Sequence, residues 1–586
     1  MFWVLSNKNS QCYNGGTLQD KPIIKMSTSP ASKSVFSTVL VDNPNIREFF
    51  QPFYAWVAVA LLIAVGLVRI ILTYPVFSQT YDEPAHIARG MEWLDKGQYT
   101  YFLEHPPLAP VMVAMLPYFF GAHSTGHPSR FAEGNAILHA NGTYLRNLTL
   151  ARLGILPFFV LCALTVWLWT KRDFGWQTAL LSTGLFTTLP SILAHSGIAT
   201  TDMAFTATFL LGLFAFRLWL EHPTIQRSIL LGITIALSML AKFSALVFLP
   251  LAAGCIVLVC WYKIRNSTGF LGYPVRRWLA GIAIGVLTGF FVIWGGYRFS
   301  VGPVKALPGF LSDLQLPARE FIRGIQTVMQ HNDEGHLSYL LGDVEQNGWW
   351  YYFPVVIAVK TPLTFLGLVF IGLVATIKHI RTRRDDVQML VPALVSLGVL
   401  GVAMTSNINI GQRHILPIYP LLAMTAGYGT FYLWTSIGHK QLGRFAAIAL
   451  LIWYLASTIA AHPDYLAYFN ELAGDHPENI VVDSNLDWGQ DILRLSRTLK
   501  EKDIEPTWEC LYSSHGNRDL ITLGLPRMKK LPAYKEKTGW IAISVMCLKM
   551  GTLEPPYDQF AWLDTYKPVE RVGKTIYLYF IPKGDA

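Results

Sequence analysis

An apolar run with an acidic end occupies residues 53–83, which read FYAWVAVALLIAVGLVRIILTYPVFSQTYDE. Residues 53–74 are long and apolar enough to cross the roughly 30 Å hydrocarbon core of a bilayer as one helix. A short polar turn then leads to two adjacent carboxylates, Asp82 and Glu83. This order predicts a membrane helix with a polar site at its end, where ionisable groups are often functional.

Apolar runs of similar length recur along the chain, as in a polytopic α-helical membrane protein. Of the 586 residues, 52% are hydrophobic and 15% are charged, whereas about 25% are charged in an average soluble protein. This composition excludes a disordered chain and argues against an ordinary soluble globule. The runs predict about eleven transmembrane helices. They are residues 53–74, 150–170, 176–195, 203–220, 228–241, 243–262, 278–298, 353–377, 387–405, 413–435 and 444–462.

Basic residues lie mainly in alternate short loops between these runs and predict the orientation. The positive-inside rule places such loops in the cytoplasm. The N-terminus is then cytoplasmic, and loops 75–149 and 299–352 face outside with the C-terminal region. Because much of the net charge of +9 lies in these loops, nucleic-acid binding is not expected. The loop residues are Lys171, Arg172, Arg227, Lys263, Arg265, Arg276, Arg277, Lys378, Arg381, Arg383, Arg384, Lys440 and Arg444.

Three regions are predicted from these patterns. Residues 1–50 are polar, lack a signal-peptide pattern and are interpreted as a cytoplasmic N-terminal tail. Residues 51–462 form the transmembrane part, and residues 463–586 a small external soluble α/β domain, because strand and helix patterns alternate there. Its predicted strands are Asn479–Val482, Thr507–Tyr512, Trp540–Met546 and Thr575–Ile581, and its predicted helix is residues 490–502.

Acidic residues mark two places on the same predicted face of the membrane. Asp82 and Glu83 follow the first span, and Asp202 opens the fourth in the segment HSGIATTDMAF. One interpretation is that these acids cap helices or lie in a first turn. The other is that a carboxylate base meets a polar acceptor beside a lipid headgroup. The sequence leaves both open.

Basic residues on that face form the complementary set. Lys242 occupies a tight turn between spans, Lys360 lies within the span of GWWYYFPVVIAVKTPL, and Arg413 and His414 open the span of NINIGQRHILPIYP. Lys and Arg pair naturally with phosphate, although long cationic side chains also extend to the membrane surface without a ligand. Together with the acids, these residues predict a site for a lipid-linked phosphate, such as a sugar on a polyprenyl carrier.

The ordered motifs resemble the GT-C membrane glycosyltransferases, in particular the protein O-mannosyltransferases and the bacterial aminoarabinose transferases of the glycosyltransferase family 39-like group. The resemblance covers roughly residues 50–500 and includes the two span segments quoted above. Its other elements are the Asp82-Glu83 pair, the segment Glu104-His105-Pro106-Pro107-Leu108, Asp202, Lys242 and the segment DSNLDWGQDILRL from Asp483 to Leu495.

The resemblance implies roles for individual residues. Asp82 matches the catalytic base, Glu83 an orienting residue, and Asp202 the second acid of the site. Lys242 and Arg413 match positions that contact the donor phosphate, and Lys360 is assigned with them. The acceptor or metal site would include Glu104, His105 and His414. His105 departs from the Lys usual in the aminoarabinose enzymes, so the identity of a metal is unknown, although a divalent ion is compatible.

The sequence therefore predicts an inverting glycosyltransferase that moves a sugar from a polyprenyl-phosphate carrier to a protein, lipid or glycan. It would act at the outer face of a membrane, in a bacterium at the inner (plasma) membrane. A multi-pass transporter and a non-catalytic assembly factor are the alternatives. The sugar, the acceptor and the oligomeric state are not readable, and a disulfide between Cys510 and Cys547 is left open.

Overall fold

The computed structural model describes residues 44–101, 103–265, 273–305, 313–435 and 440–584, most of them helical. Most of the predicted tail, residues 1–50, lies outside these ranges. Residues Ala55–Ala586 form one compact unit. Its helices, after the first at Pro44–Ile71, are Glu83–Lys96, Leu108–Phe119, Arg130–Leu138, Tyr144–Leu153, Leu156–Phe174, Trp176–Thr188, Pro190–Ser196, Asp202–Glu221, Ile225–Ala241, Ala245–Arg265, Val275–Gly296, Arg319–Glu334, Tyr352–Lys360, Leu363–Thr382, Val391–Ala403, Ile418–Thr435, Lys440–Ala460, Ile492–Glu501, Asn517–Thr522 and Val545–Met550.

Eight helical segments among the described residues are long and apolar enough to cross a membrane. In Val275–Gly296, only 6% of the apolar window is buried inside the protein, as expected for a helix that faces lipid. The chain is an integral membrane protein. The predicted count of eleven helices is not confirmed. The eight segments are Phe53–Ile71, Tyr144–Phe174, Asp202–Glu221, Ala245–Tyr262, Val275–Gly296, Leu363–Thr382, Arg384–Ala403 and Lys440–Ala460.

Two predicted spans are broken at a proline. The run 176–195 is divided into Trp176–Thr188 and Pro190–Ser196, with Leu189 extended between them. Proline disfavours the helical conformation in the preceding residue and lacks the N–H that would continue the ladder. The prediction of one continuous helix was wrong here because an apolar count does not detect a local break.

The run 353–377 is broken in the same way. Tyr352–Lys360 ends before Pro362, with Thr361 extended, and Leu363–Thr382 begins after it. Lys360 was predicted to lie inside a span. It is instead the last residue of a nine-residue helix that precedes the spanning one.

The C-terminal part contains a five-stranded mixed sheet. Its two central strands, Gly539–Ser544 and Ile576–Ile581, are antiparallel and match two predicted runs. The predicted strand Asn479–Val482 is wrong, because a 3₁₀ turn at Pro477–Asn479 opens that stretch and no described strand pairs with it. The strand order is Lys529–Lys530, Trp508–Cys510, Gly539–Ser544, Ile576–Ile581 and Glu570–Val572, with the first three parallel.

Main-chain bonds join the segment before helix Ile492–Glu501 to the loop after the first membrane helix, residues 75–149, which the sequence predicts to be external. The Ser78 amide donates to the Gln490 carbonyl at 3.0 Å, and the Tyr81 amide donates to the Trp488 carbonyl at 2.8 Å. The Ser78 hydroxyl also donates to the Gln490 carbonyl at 2.8 Å. These contacts place Trp488 next to the acidic pair that Tyr81 precedes.

Two cysteines lie in the core of the C-terminal part, Cys510 at the end of strand Trp508–Cys510 and Cys547 in helix Val545–Met550. Cys510 and Cys547 are buried and free, and their thiols form a hydrogen bond with each other. Burial and this bond raise the pKa of the Cys547 thiol well above its usual range. The structure therefore shows two neighbouring thiols rather than a disulfide.

Candidate active site

Asp82 lies at the N-cap position of helix Glu83–Lys96 but makes no side-chain cap bond. Its Oδ2 instead accepts a hydrogen bond of 2.9 Å from Nη1 of Arg413, and 28% of its side chain stays exposed. The helix-cap interpretation is therefore insufficient, because the carboxylate faces a guanidinium from a distant part of the chain.

The charges around Asp82 keep it ionised. Burial alone would raise its pKa, but the positive charges of Arg413 and Arg89 outweigh that effect and hold the pKa below its usual value. The group is a carboxylate at neutral pH and can accept a proton without first losing one.

Asp202 and Lys242 form a second pair. Nζ of Lys242 donates to Oδ1 of Asp202 at 2.7 Å, and the Thr200 hydroxyl donates to Oδ2 at 3.2 Å. Lys242 is the C-cap residue of helix Ile225–Ala241, so the turn brings its ammonium to the first residue of the neighbouring helix Asp202–Glu221. Asp202 is buried, whereas part of the Lys242 side chain is exposed.

Arg413 lies between the acids. Burial alone would lower the pKa of its guanidinium, but Asp82, Asp202 and Asp483 raise it above its usual value. The guanidinium packs 4.3 Å above the centre of the Trp488 ring. Its buried Nε has no hydrogen-bond partner among the described residues. The group thus keeps a donor free for an anionic ligand.

Glu83 has a different environment from its neighbour. It is fully buried and accepts two bonds of 2.9 Å from Nε and Nη2 of Arg152. It also accepts from the amides of Thr80 at 2.7 Å and Ala199 at 2.8 Å. Ala199 precedes Asp202 by three residues. Glu83 is therefore bonded to the segment that carries Asp82 and to the segment that carries Asp202.

Glu104 and His105 lie on the other side of Asp82. The His105 ring packs edge-on against His86 at 4.9 Å, and Glu104 faces Arg89 at 4.0 Å. Burial raises the pKa of Glu104 more than Arg89 and Arg130 lower it. The same burial, with Arg89, lowers the pKa of His86 to about 3.

These residues do not fit the predicted metal site. No group of three metal-ligating side chains includes Glu104, His105 or His414 in the described ranges, and the nearest charged partner of Glu104 is a cation. His414 lies close enough to Lys242 for its charge to act on the ring, and burial lowers its pKa well below the usual value.

Lys360 is bonded to main-chain carbonyls. Its Nζ donates to the carbonyls of Leu466 at 2.6 Å and Asn485 at 2.5 Å, and it packs 4.3 Å above the Phe469 ring. The Asn485 side chain accepts from the Gln412 amide at 2.9 Å. Lys360 therefore supports the segment that carries Arg413, and its assignment to the phosphate stays a prediction.

Several residues of the site were not predicted. The segment DSNLDWGQDILRL contains three aspartates, Asp483, Asp487 and Asp491. Asp487 and Asp491 accept main-chain bonds within the C-terminal part, whereas Asp483 lies close to Asp82 and Arg413. The DWG turn was the signal that was available, since aromatic and acidic residues in one loop are typical of ligand sites.

Two stacked tyrosines border the acid. Tyr81 and Tyr512 lie 4.8 Å apart with an 8° angle between their planes, and Tyr81 also contacts Phe131. Tyr512 is near enough to Asp82 for the carboxylate to act on its hydroxyl. The pair forms an aromatic surface beside Asp82, of the kind that packs against apolar groups.

A family model described as dolichyl-phosphate-mannose-protein mannosyltransferase matches residues 65–295. The matched range contains Asp82, Asp202 and Lys242, and it stops before Arg413. The resemblance predicted from the sequence is confirmed. No curated protein sequence matches this chain.

Three solved structures of transferases match parts of this chain, and one of them, with a TM-score of 0.50, is similar in fold. The Saccharomyces cerevisiae protein O-mannosyltransferase Pmt1-Pmt2 complex bound to the sugar donor is 10% identical, with 70% of this chain and 90% of that chain covered and a TM-score of 0.50. ArnT from Cupriavidus metallidurans bound to undecaprenyl phosphate is 15% identical, with 89% and 98% covered and a TM-score of 0.46. The archaeal oligosaccharyltransferase AglB from Archaeoglobus fulgidus, in complex with an inhibitory peptide and a dolichol-phosphate, is 12% identical, with 92% and 75% covered and a TM-score of 0.43.

Proposed function

We propose that this protein is an inverting glycosyltransferase that moves a sugar from a polyprenyl-phosphate carrier to a nucleophile at the outer face of the membrane. The family model matches mannosyltransferases that use a dolichyl-phosphate donor. The structures of similar fold include proteins bound to a sugar donor, to undecaprenyl phosphate and to dolichol-phosphate. A lipid-linked phosphate is the donor chemistry that these proteins share.

One observation carries the proposal. An ionised, partly exposed carboxylate, Asp82, is bonded to Arg413, which also lies near Asp202 and Lys242. A carboxylate and two cations at one site suit a transfer reaction. The carboxylate can remove the proton of the acceptor, and the cations can stabilise the departing phosphate.

In the proposed reaction, a lone pair of the acceptor oxygen attacks the anomeric carbon of the sugar. Oδ of Asp82 removes the acceptor proton as that bond forms. The bond between the anomeric carbon and the phosphate oxygen breaks on the opposite face, and its electron pair stays on the phosphate. The configuration therefore inverts. Phosphate is a good leaving group, so no general acid is required.

Arg413 and Lys242 would stabilise the charge that develops on the leaving phosphate. Each donor aimed at such a charge contributes a few kcal/mol in sites that exclude water. Arg413 keeps a buried Nε without a partner among the described residues, and Lys242 is partly exposed. Both groups thus retain the capacity to donate to phosphate oxygens.

Asp202 and Glu83 are proposed as positioning residues. Asp202 holds the Lys242 ammonium at 2.7 Å. Glu83 binds Arg152 and the amides of Thr80 and Ala199, so it fixes the backbone on both sides of the site. Both carboxylates are buried, whereas 28% of the Asp82 side chain is exposed.

The membrane side and the compartment follow from the basic loops. The positive-inside rule places the loop of Asp82 outside and the N-terminus in the cytoplasm. In a bacterium this corresponds to the inner membrane, with the C-terminal part in the periplasm. Protein, lipid and glycan acceptors all present a suitable nucleophile, so the acceptor class is left to experiment.

The geometry favours an enzyme over the two alternatives. A non-catalytic assembly factor has no requirement to bring Asp82, Asp202 and a shared cation together. A secondary transporter usually places its binding residues near the membrane midplane, at broken helices of repeated halves. Here the acids lie at helix ends, at Asp82 and Asp202, on one predicted face.

The test uses the purified protein in lipid nanodiscs. Radiolabelled polyprenyl-phosphate sugars are offered one at a time with a membrane extract as the acceptor source. We expect label to pass to an acceptor with one donor, and the Asp82→Asn variant to transfer at least a hundredfold more slowly. Donor binding by the variant should persist.

Asp95→Asn is the matched control. Asp95 lies on the same helix as Asp82, near its other end, and bonds only His123 and Ser124 among the described residues. It should transfer at the wild-type rate. Wild-type rates for Asp82→Asn, or failure of the wild type to bind any lipid-linked sugar, would overturn the proposal.

A further inference from the structure

A second group of ligating side chains lies outside the proposed active site. His139 caps the first-loop helix Arg130–Leu138, whereas His515 and Asp519 flank the start of the short helix Asn517–Thr522 near the C-terminus. One ligand atom from each of the three lies within 4.8 Å of the other two. The tertiary structure thus gathers two imidazoles and one carboxylate from distant parts of the chain.

The hydrogen bonds of His139 show which nitrogen faces the group. The Thr522 hydroxyl donates to the Asp519 carbonyl at 2.7 Å, so it accepts from Nδ1 of His139, 3.3 Å away. Nδ1 therefore carries the proton, and the lone pair lies on Nε2. A metal-ligating histidine typically has its other N–H held by such an acceptor.

His515 has no other use for its ring nitrogens. The residue is 9% exposed, and neither Nδ1 nor Nε2 has a hydrogen-bond partner among the described residues. Nε2 of His139 is also without one. Buried polar atoms without partners are rare in folded proteins and require an explanation, such as an absent ion.

Asp519 supplies the negative charge. Its Oδ2 accepts from the Gly516 amide at 2.9 Å, while Oδ1 lies 4.0 Å from Nε2 of His139. That separation is too long for a hydrogen bond.

We propose that His139, His515 and Asp519 bind one divalent transition-metal ion of the zinc class. Two imidazoles and a carboxylate suit Zn²⁺, whereas Mg²⁺ and Ca²⁺ prefer all-oxygen sites. A water molecule completes the tetrahedron. Ligand atoms of a tetrahedral zinc site lie roughly 3.3–3.5 Å apart, so the three side chains close by about 1 Å on binding.

The ion joins the C-terminal part to the first external loop. The His139 ring stacks on Tyr144 at 4.7 Å, and the Tyr144 hydroxyl accepts from the Gln79 amide at 2.8 Å. Gln79 stands three residues before Asp82. The metal therefore rigidifies the loop that carries the proposed base without itself contacting it. Its role is structural, and the proposal stands independently of the sugar-transfer function.

The test measures metal binding on the full-length protein in detergent, with no sugar donor present. Chelator-treated protein is titrated with Zn²⁺ by calorimetry, and the bound ion is counted by mass spectrometry. Co²⁺ serves as a spectroscopic probe of tetrahedral N/O ligation. We expect one ion per chain in the wild type, and at least tenfold weaker binding in His139→Gln, His515→Gln and Asp519→Asn.

His123→Gln is the matched control. His123 belongs to the same external loop and is largely exposed, so this variant should bind Zn²⁺ like the wild type. Thermal melting provides the second readout. Metal-free wild type and variants should melt alike, and Zn²⁺ should raise the melting temperature only of the wild type and the control. The site would be refuted if the wild type bound no stoichiometric ion, or if all three variants bound Zn²⁺ as tightly as the wild type.

Discussion

The adjacent carboxylates Asp82 and Glu83 both pair with a guanidinium, yet their surroundings are opposite. Glu83 is 0% exposed and accepts bonds from Arg152 and two backbone amides. Asp82 is 28% exposed and accepts one described side-chain bond, from Arg413, which itself has an unpartnered buried Nε. Both are acid–arginine pairs, but only one has capacity left for a ligand.

This difference separates a structural ion pair from a candidate catalytic one. A buried charge pair is stable only when its remaining hydrogen-bonding groups are satisfied, and such a pair has nothing left to offer a substrate. A partly exposed pair costs less to desolvate and can exchange one partner for a ligand. The contrast between neighbouring residues can be tested directly by mutation.

Breaking the buried pair of Glu83 and Arg152 should have the largest effect, on folding stability. Arg152→Met leaves the Glu83 carboxylate buried without its cation, which costs about 3–5 kcal/mol of folding free energy. We expect little monodisperse protein and a markedly lower melting temperature, measured by size-exclusion chromatography and thermal unfolding. A variant that purifies and melts like the wild type would show that other groups stabilise the buried charge of Glu83 when Arg152 is absent.

Neutralising Asp82, the partly exposed carboxylate, should lower the transfer rate rather than the folding stability. Asp82→Asn removes the proposed base, so transfer should slow by roughly 10²–10⁴-fold. Its melting temperature should change little, because the side chain is partly exposed. Single-turnover transfer assays measure the rate at saturating donor. Unfolding of this variant, with normal specific activity of the folded fraction, would reverse the two roles.

Removing Arg413, the cation of the partly exposed pair, should weaken donor binding. A hydrogen bond to a charged group contributes about 1.5–3 kcal/mol, so Arg413→Gln should raise the dissociation constant of the lipid-linked sugar by roughly 10–100-fold. Fluorescence quenching or calorimetry in nanodiscs gives the constant. An unchanged value would remove Arg413 from the proposed phosphate site.

The same variant should change the pH dependence. Arg413 is the strongest of the groups that lower the pKa of Asp82 against the opposing effect of burial. Without it, burial raises that pKa, and the base is protonated at a higher pH. The acidic limb of the rate profile should therefore move to higher pH in Arg413→Gln relative to the wild type. A limb that stays in place would mean that Asp82 is not the titrating base.

The smallest effect on the donor is expected for the buried lysine. Lys360→Met leaves the Leu466 and Asn485 carbonyls without their donor, which costs about 1–3 kcal/mol of stability. Donor affinity should stay within about twofold of the wild type, whereas Lys242→Met should weaken it clearly. Equal losses for both variants would return Lys360 to the phosphate site.

The proximity of Asp82 to Arg413 and of Asp202 to Lys242 could be anticipated, because each residue has a local signal. Asp82 follows an apolar run, Asp202 begins one, Lys242 occupies a turn between runs, and Arg413 opens the run 413–435. Their roles in a reaction stay predictions. The placement of Lys360 inside a span was wrong because its helix ends before Pro362, and an apolar run does not reveal which carbonyls an ammonium meets.

The C-terminal contribution was harder to foresee. The central strands were predicted from their β-branched and aromatic composition, but Asn479–Val482 has that composition and is not a strand, since no neighbour pairs with it. Asp483 and the His139, His515 and Asp519 group carry no sequence spacing of a site. Their proximity depends on how the C-terminal part packs on the first external loop.

The sequence by itself determined the membrane class of this protein and which charged residue types stand next to its apolar runs. These properties follow from local hydrophobicity and charge, because each segment partitions between water and lipid according to its own composition. Only the tertiary structure decided which acid meets which cation. Arg413 and Asp82 are 331 positions apart, and nothing within either segment states that the free carboxylate is Asp82 while the closed one is Glu83.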